Sequence, residues 1–223
     1  MNHLSGFYTI FDFVIQRRSD VKPAQTEGDS LMAKAEMTKH LLAKTLKQLM
    51  ADTPLDKISV QDIVSACDLN RKTFYYHFRD KQELVCWIFD TEFTGLHDLN
   101  HNNTIMDELV EHLYLNRDFY IAALTSDAQN NLREHLYQVG YRAVLNEVSQ
   151  IPGNEKMDEK DKQLIAFFFS NAIIGCLAQW SREGMKKASY GNSINFIQLV
   201  KETLTLIISR KINDSGHNPQ LRG

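Results

Sequence analysis

Residues 70–81 of the chain read NRKTFYYHFRDK. Arg71, Lys72, Thr73, the adjacent Tyr75 and Tyr76, and His77 crowd together here, while Phe74 and Phe78 stand four residues apart. On a helix turning roughly 100° per residue the two phenylalanines share one stripe, Lys72 and Tyr76 lie nearly opposite, and the pairs Arg71/Tyr75 and Thr73/His77 flank them. One face anchors and the rest is presented. Solvation alone gives no reason for neighbouring exposed tyrosines, whereas their hydroxyls can reach phosphate oxygens while their rings lie along sugar edges. A small structural helix with a merely solvated polar side is the competing reading.

The flanking chain supplies a frame for this stretch. Leu41, Leu42, Thr45, Leu46, Leu49 and Met50 form the apolar stripe of an amphipathic helix over 37–50. Pro54, in ADTPLDK, stops it and pushes Thr53 toward extended geometry. Ser59 with Asp62 three residues later is a capping-box variant, and it opens a short second helix that turns Ile63, Val64 and Cys67 inward. Asp68 and Asn70 tolerate turn geometry, and Asn70 caps a third helix bearing the quoted residues. Two short helices joined by a tight turn, the second with cationic and hydrogen-bonding tips near its N-terminus, are what a helix-turn-helix needs to put a helix end into a major groove.

The segment ISVQDIVSACDLNRKTFYYHFRDKQEL, residues 58–84, resembles the DNA-binding signature of the TetR family of bacterial transcriptional regulators, and the likeness extends over residues 38 to about 84. The resemblance implies an all-α fold with a three-helix DNA-binding domain at 37–82, a helical regulatory and dimerisation domain at 83–212 and a tail at 213–223. It also implies a cytoplasmic homodimer that binds a palindromic double-stranded DNA operator under the control of a small-molecule effector or a partner protein, with no cofactor, no metal, no membrane and no enzymatic activity. Carried over position by position, Ser59 contacts phosphate, Arg71, Lys72 and Thr73 face base edges, and Asn70, which opens their helix, counts among the DNA-binding residues. Tyr75, Tyr76 and His77 grip the backbone, and Lys81 reaches phosphate from the start of the fourth helix. A satisfied histidine at a helix end is the other reading of His77. One departure is Asp68, which stands where the family usually has glycine. Aspartate tolerates the left-handed geometry but sets a negative charge near the groove. It favours the alternative function, a helical interaction or co-regulator protein of the same fold that does not bind DNA.

Composition agrees with a globular helical protein. Hydrophobic residues make up 43% of 223, prolines number only four and glycines ten, and no regular alternation marks strands. The net charge of −3 conceals an asymmetry: residues 37–81 carry eight Lys and Arg against five Asp, whereas residues 82–223 carry thirteen against eighteen acidic residues. A basic module on an acidic body still draws phosphate to one end. Cys67, Cys86 and Cys176 are far apart and suggest neither a disulfide framework nor a zinc ribbon, as expected of a reducing cytosol. Residues 1–36, including FYTIFDFVI, read as an appendage ahead of a start near Met32 or Met37, with a membrane-surface anchor as the alternative.

Beyond residue 82 further helices are expected at 82–99, 104–115, 117–125, 128–150, 159–184 and 193–212. The last two are apolar over more than one stripe, which suits a two-fold seam; central helices of a monomer are the other option. His97 and His101, four apart, lack a third ligand and read as solvated. No phosphate loop or nucleophile elbow occurs. The stretch NRDFYIAALTSDAQNNLREHLYQVGYRAVL is similar, more loosely, to a TetR subgroup that includes regulators of dihydroxyacetone kinase operons. In parts of that subgroup the metabolite is sensed through a partner protein, so Phe119, Tyr120, Tyr137 and Tyr141 are open to three readings: ligand walls, core or partner surface.

Overall fold

The structure, a computed structural model, describes residues 27–97, 105–129, 131–150, 154–186, 202–203 and 205–210. Every regular element among them is helical. Helix α1, Glu27–Leu49, starts upstream of the expected Met37. Its early turns include Ala33, Lys34, Ala35 and Glu36, all strong helix formers, while Leu31, Met32 and Met37 stay exposed. Helicity there owes more to propensity than to packing. FYTIFDFVI lies outside the described residues.

Downstream, Leu42, Ala43, Thr45 and Leu46 turn inward, and Leu41 does not. A 3-10 turn, Leu55–Lys57, follows Pro54 and buries Leu55. Helices α2, Val60–Ala66, and α3, Arg71–His77, pack on α1 and on each other. Phe74 is fully buried, but α3 stops one residue before Phe78, which becomes an extended C-cap and is buried all the same. The anchoring stripe is therefore one helical phenylalanine and one from the turn that follows.

Helix α4, Lys81–His97, joins this reader domain to the body. Leu84, Val85 and Ile88 belong to the same continuous apolar core as Phe89 and Phe93, which extends to Leu113, Tyr120, Leu132, Trp180 and Met185. Burying each such side chain contributes on the order of 2 kcal/mol, so reader and body are welded rather than strung on a linker. The body comprises α5, Ile105–Leu115; α6, Arg117–Thr125; α7, Leu132–Gln150; a 3-10 turn, Asn154–Lys156; and α8, Glu159–Arg182.

Expectation and structure part at the start of α7, set at Leu132 rather than 128. Buried Asn131 caps it, accepting from the Glu134 N–H at 3.0 Å, while its own amide donates to the carbonyls of Ser126 and Ala128, each at 2.9 Å. Of the last expected helix, 202–203 and 205–210 are described and are helical. Ile208 joins Val144, Val148, Ile165 and Phe169 in a second core cluster at the far end of α7 and α8. By length and mean hydropathy, 1.5, α8 could cross a membrane. Ile165, Ala166, Phe169, Leu177 and Trp180 are instead buried along it, against α7 and α6.

Candidate nucleic-acid interface

The turn before α3 is built by three local devices. Ser59 and Asp62 form a reciprocal capping box: the Asp62 N–H donates to Ser59 Oγ at 3.2 Å, and the Ser59 N–H donates to Asp62 Oδ2 at 2.8 Å. At the other end of α2 the Leu69 N–H returns to the Val64 carbonyl at 2.9 Å, which requires Asp68 to take φ +53°. Asn70 then caps α3, its side-chain oxygen accepting from the Thr73 N–H at 2.8 Å and the Thr73 hydroxyl at 3.2 Å. With both ends pinned, α3 has one orientation, Phe74 inward.

That orientation sets what faces water. Tyr76 is 81% exposed and Tyr75 48%, against 0% for Phe74. Arg71 lies over the Tyr75 ring, 5.7 Å from its centroid, and donates to the Tyr75 hydroxyl at 3.1 Å. This cation–π contact holds the guanidinium extended along the helix. Lys72 is exposed and makes no ion pair or hydrogen bond among the described residues. The His77 ring lies edge-on to Tyr76 at 4.9 Å. Burial, and then the Lys39 cation, hold its pKa below the ordinary 6.5, which leaves it neutral at physiological pH. The structure thus brings Arg71, Lys72, Tyr75 and Tyr76 onto one open face, with Thr73 and His77 at its margins.

Three expected contact residues have other employment. The Lys81 ammonium donates to the carbonyls of Leu55, Asp56 and Ile58 at 2.6, 3.2 and 2.7 Å. All three of its N–H bonds are committed to closing the turn between α1 and α2. Burial lowers its pKa, against the pull of Asp56 and Asp62. Ser59 spends its hydroxyl proton on Asp62 Oδ2 at 2.7 Å, and the Asn70 oxygen is used by the cap. These side chains hold the reading surface in shape; capping spacing marks Ser59 and Asn70 for that role, and nothing in the sequence marks Lys81.

Long-range links within the body and between reader and body escaped the sequence altogether. Lys47 of α1 meets Glu92 of α4 at 2.7 Å, Ser126 donates to Asp56 at 2.8 Å, and His135 of α7 meets Asp90 at 2.8 Å. Each joins residues 45 or 70 positions apart, far beyond any helical periodicity. Among the described residues no three His, Cys, Asp or Glu side chains gather as metal ligands. The Cys86 thiol, pushed up to about 12 by burial and then by Asp90, Asp80 and Glu83, is no nucleophile.

Two family models match the chain: "Bacterial regulatory proteins, tetR family" over residues 42–86 and "Transcriptional regulator C-terminal region" over residues 100–213. The chain belongs to the TetR family. It is a DNA-binding transcriptional regulator, not an enzyme. A curated relative, the HTH-type dhaKLM operon transcriptional activator DhaS of Lactococcus lactis subsp. lactis (strain IL1403), is 30% identical over 185 residues, 80% of this chain and 93% of the relative. A solved structure, the dihydroxyacetone kinase operon activator DhaS, superposes with a TM-score of 0.51 over 76% of this chain and 97% of that one. At 23% identity this likeness supports the TetR fold alone. The subgroup suspected from the middle segment is the one to which these relatives belong.

Proposed function

We propose that this TetR regulator binds a palindromic operator as a cytoplasmic homodimer, with α3 of each protomer entering the major groove. The carrying observation is the open face of α3, where Arg71, Lys72, Tyr75 and Tyr76 project from a helix fixed at both ends. Arg71 and Lys72 suit guanine O6 and N7, while Tyr75, Tyr76 and His77 suit the sugar–phosphate margin. Ser59, Asn70 and Lys81 act by holding that face. The reader comprises residues 37–82, and the body from 83 onward carries dimerisation and control.

The second copy docks on α8. Leu164, Phe167 and Phe168 are each more than half exposed, and Asn171 and Gly175 continue the same stripe. A Cβ at Gly175 would meet nothing within 4 Å. Leu206 of the C-terminal segment is exposed as well. A surface of this kind asks for a partner, and a self-complementary stripe suits a two-fold axis.

Like the dihydroxyacetone kinase operon activators it resembles, the chain activates such an operon, in response to a small molecule or a partner protein. Of the four candidate ligand walls, Phe119 and Tyr120 are buried in the core and Tyr137 packs beside Tyr141, while Phe168 faces outward. This favours a partner over an enclosed ligand site. Selecting bound sites from random DNA tests the reading of α3; a palindrome is expected, and a protein that selects nothing is the co-regulator instead. Titrating dihydroxyacetone against operator binding, with and without cell extract, separates direct from partner-borne control.

A further inference from the structure

Four helices meet at one carboxylate. Glu92 of α4 accepts from Lys47 Nζ of α1 at 2.7 Å through one oxygen and from the Tyr120 hydroxyl of α6 at 3.2 Å through the other. His112 of α5 sits 2.8 Å from the Tyr120 hydroxyl and 3.5 Å from the same Glu92 oxygen. The Asn116 amide donates to the His112 carbonyl at 3.0 Å and lies 3.4 Å from Nδ1. An Nδ1 that accepts leaves the proton on Nε2, so donation runs from Asn116 through His112 and Tyr120 to Glu92. Tyr120 is fully buried and His112 nearly so. Burial opposes ionisation of Glu92, but hydrogen bonds from His112 and Lys47 prevail and hold its carboxyl below the ordinary range.

Lys47 is the reader's contribution. Its ammonium also stands 5.2 Å from the centroid of the Phe119 ring of α6, so one reader cation touches both α4 and the body. The surrounding apolar core is continuous across the junction and resists separation, but apolar contact is non-directional and says little about angle. A charge-assisted bond has a direction. In a dimer the angle between reader and body sets the distance between the two α3 helices, and hence the half-site spacing that is read.

We infer that Lys47 and Glu92, backed by Tyr120 and His112, are positioning residues that fix the reader on the body and so select operator spacing. The inference rests on the reading that α3 of each protomer enters DNA. Removing one partner frees the angle without altering the face that touches bases.

The test compares Lys47→Met, which keeps the stem over Phe119 but loses the donor, with Glu92→Gln and with Lys47→Arg. Each full-length protein is titrated against operators whose half-sites are moved apart or together by single base pairs, and against an isolated half-site. Lys47→Met and Glu92→Gln are expected to lose about tenfold on the preferred spacing, within the usual range of inter-site coupling. They should bind the other spacings relatively better and match the wild type on the half-site, and Lys47→Arg should restore the preference. Variants that melt earlier yet keep the wild-type spacing profile would overturn the inference, leaving the cluster a mere stabiliser. A wild-type protein without any spacing preference would overturn the dimeric reading beneath it as well.

Discussion

At residue 68 the backbone takes φ +53°, a region that costs an ordinary L-residue about 1–2 kcal/mol and aspartate less. Glycine would remove that cost but forfeit a comparable amount of conformational entropy on folding, about 0.5–1 kcal/mol. Asp68→Gly should therefore shift stability by no more than about 1 kcal/mol. It should tighten operator binding, because an exposed negative charge beside the reading helix is lost; melting curves and titrations at fixed salt measure the two effects. Lys81 yields a sharper contrast. Hydrogen bonds to a charged group contribute about 1.5–3 kcal/mol, so Lys81→Met should destabilise by roughly that amount while leaving the slope of affinity against salt unchanged. A slope reduced by about one unit would instead make Lys81 a phosphate contact.

The short helices depend on their ends. Seven residues are too few for α2 or α3 to persist alone, so capping and burial carry them. Asn70→Ala is expected to cost about 1 kcal/mol and to weaken binding to all operator sequences alike, since the orientation of α3 loosens while Lys72 and Arg71 remain. Lys72→Ala should do the reverse, with stability unchanged and preference relaxed at one base position per half-site. Hydrogen bonds from the side chain and then the backbone of Ser59 hold the Asp62 carboxyl below its ordinary 3.8. The folded pKa is the depressed one, so the contribution of the box is present above about pH 4 and is lost as pH falls further. Ser59→Ala should flatten that part of the acid-unfolding profile. At the other extreme, α8 closes with a full Schellman motif: Met185 N–H to the Trp180 carbonyl at 2.9 Å and Gly184 N–H to the Ser181 carbonyl at 3.0 Å, with Gly184 at φ +78°.

On the scale of the molecule, reader and body share one core, so a change in the body has a rigid path to α3 through α4. In the proposed dimer this path becomes readable as spacing. A charge at the centre of an apolar seam costs several kcal/mol unless it is paired, so Phe168→Asp is expected to yield folded monomers in sedimentation and to abolish tight operator binding. Ile174, by contrast, is half-buried against the protomer's own core. A charge there should lower the melting temperature as well, which makes Phe168 the cleaner probe.

The sequence by itself determined the helical class, the Ser59 and Asn70 caps, the turn at Asp68 and the outward aromatic and cationic face of α3. These are local: period, capping chemistry and turn tolerance act over three or four residues, and the signature of the family lies within a single stretch. Only the tertiary structure decided that Lys81 closes a turn, that Phe78 anchors from outside the helix, and that Glu92 gathers Lys47, Tyr120 and His112. Such contacts join residues tens of positions apart through the packing of whole helices, and a side chain with several hydrogen-bonding atoms carries no mark, in one dimension, of which partner the fold will bring to it.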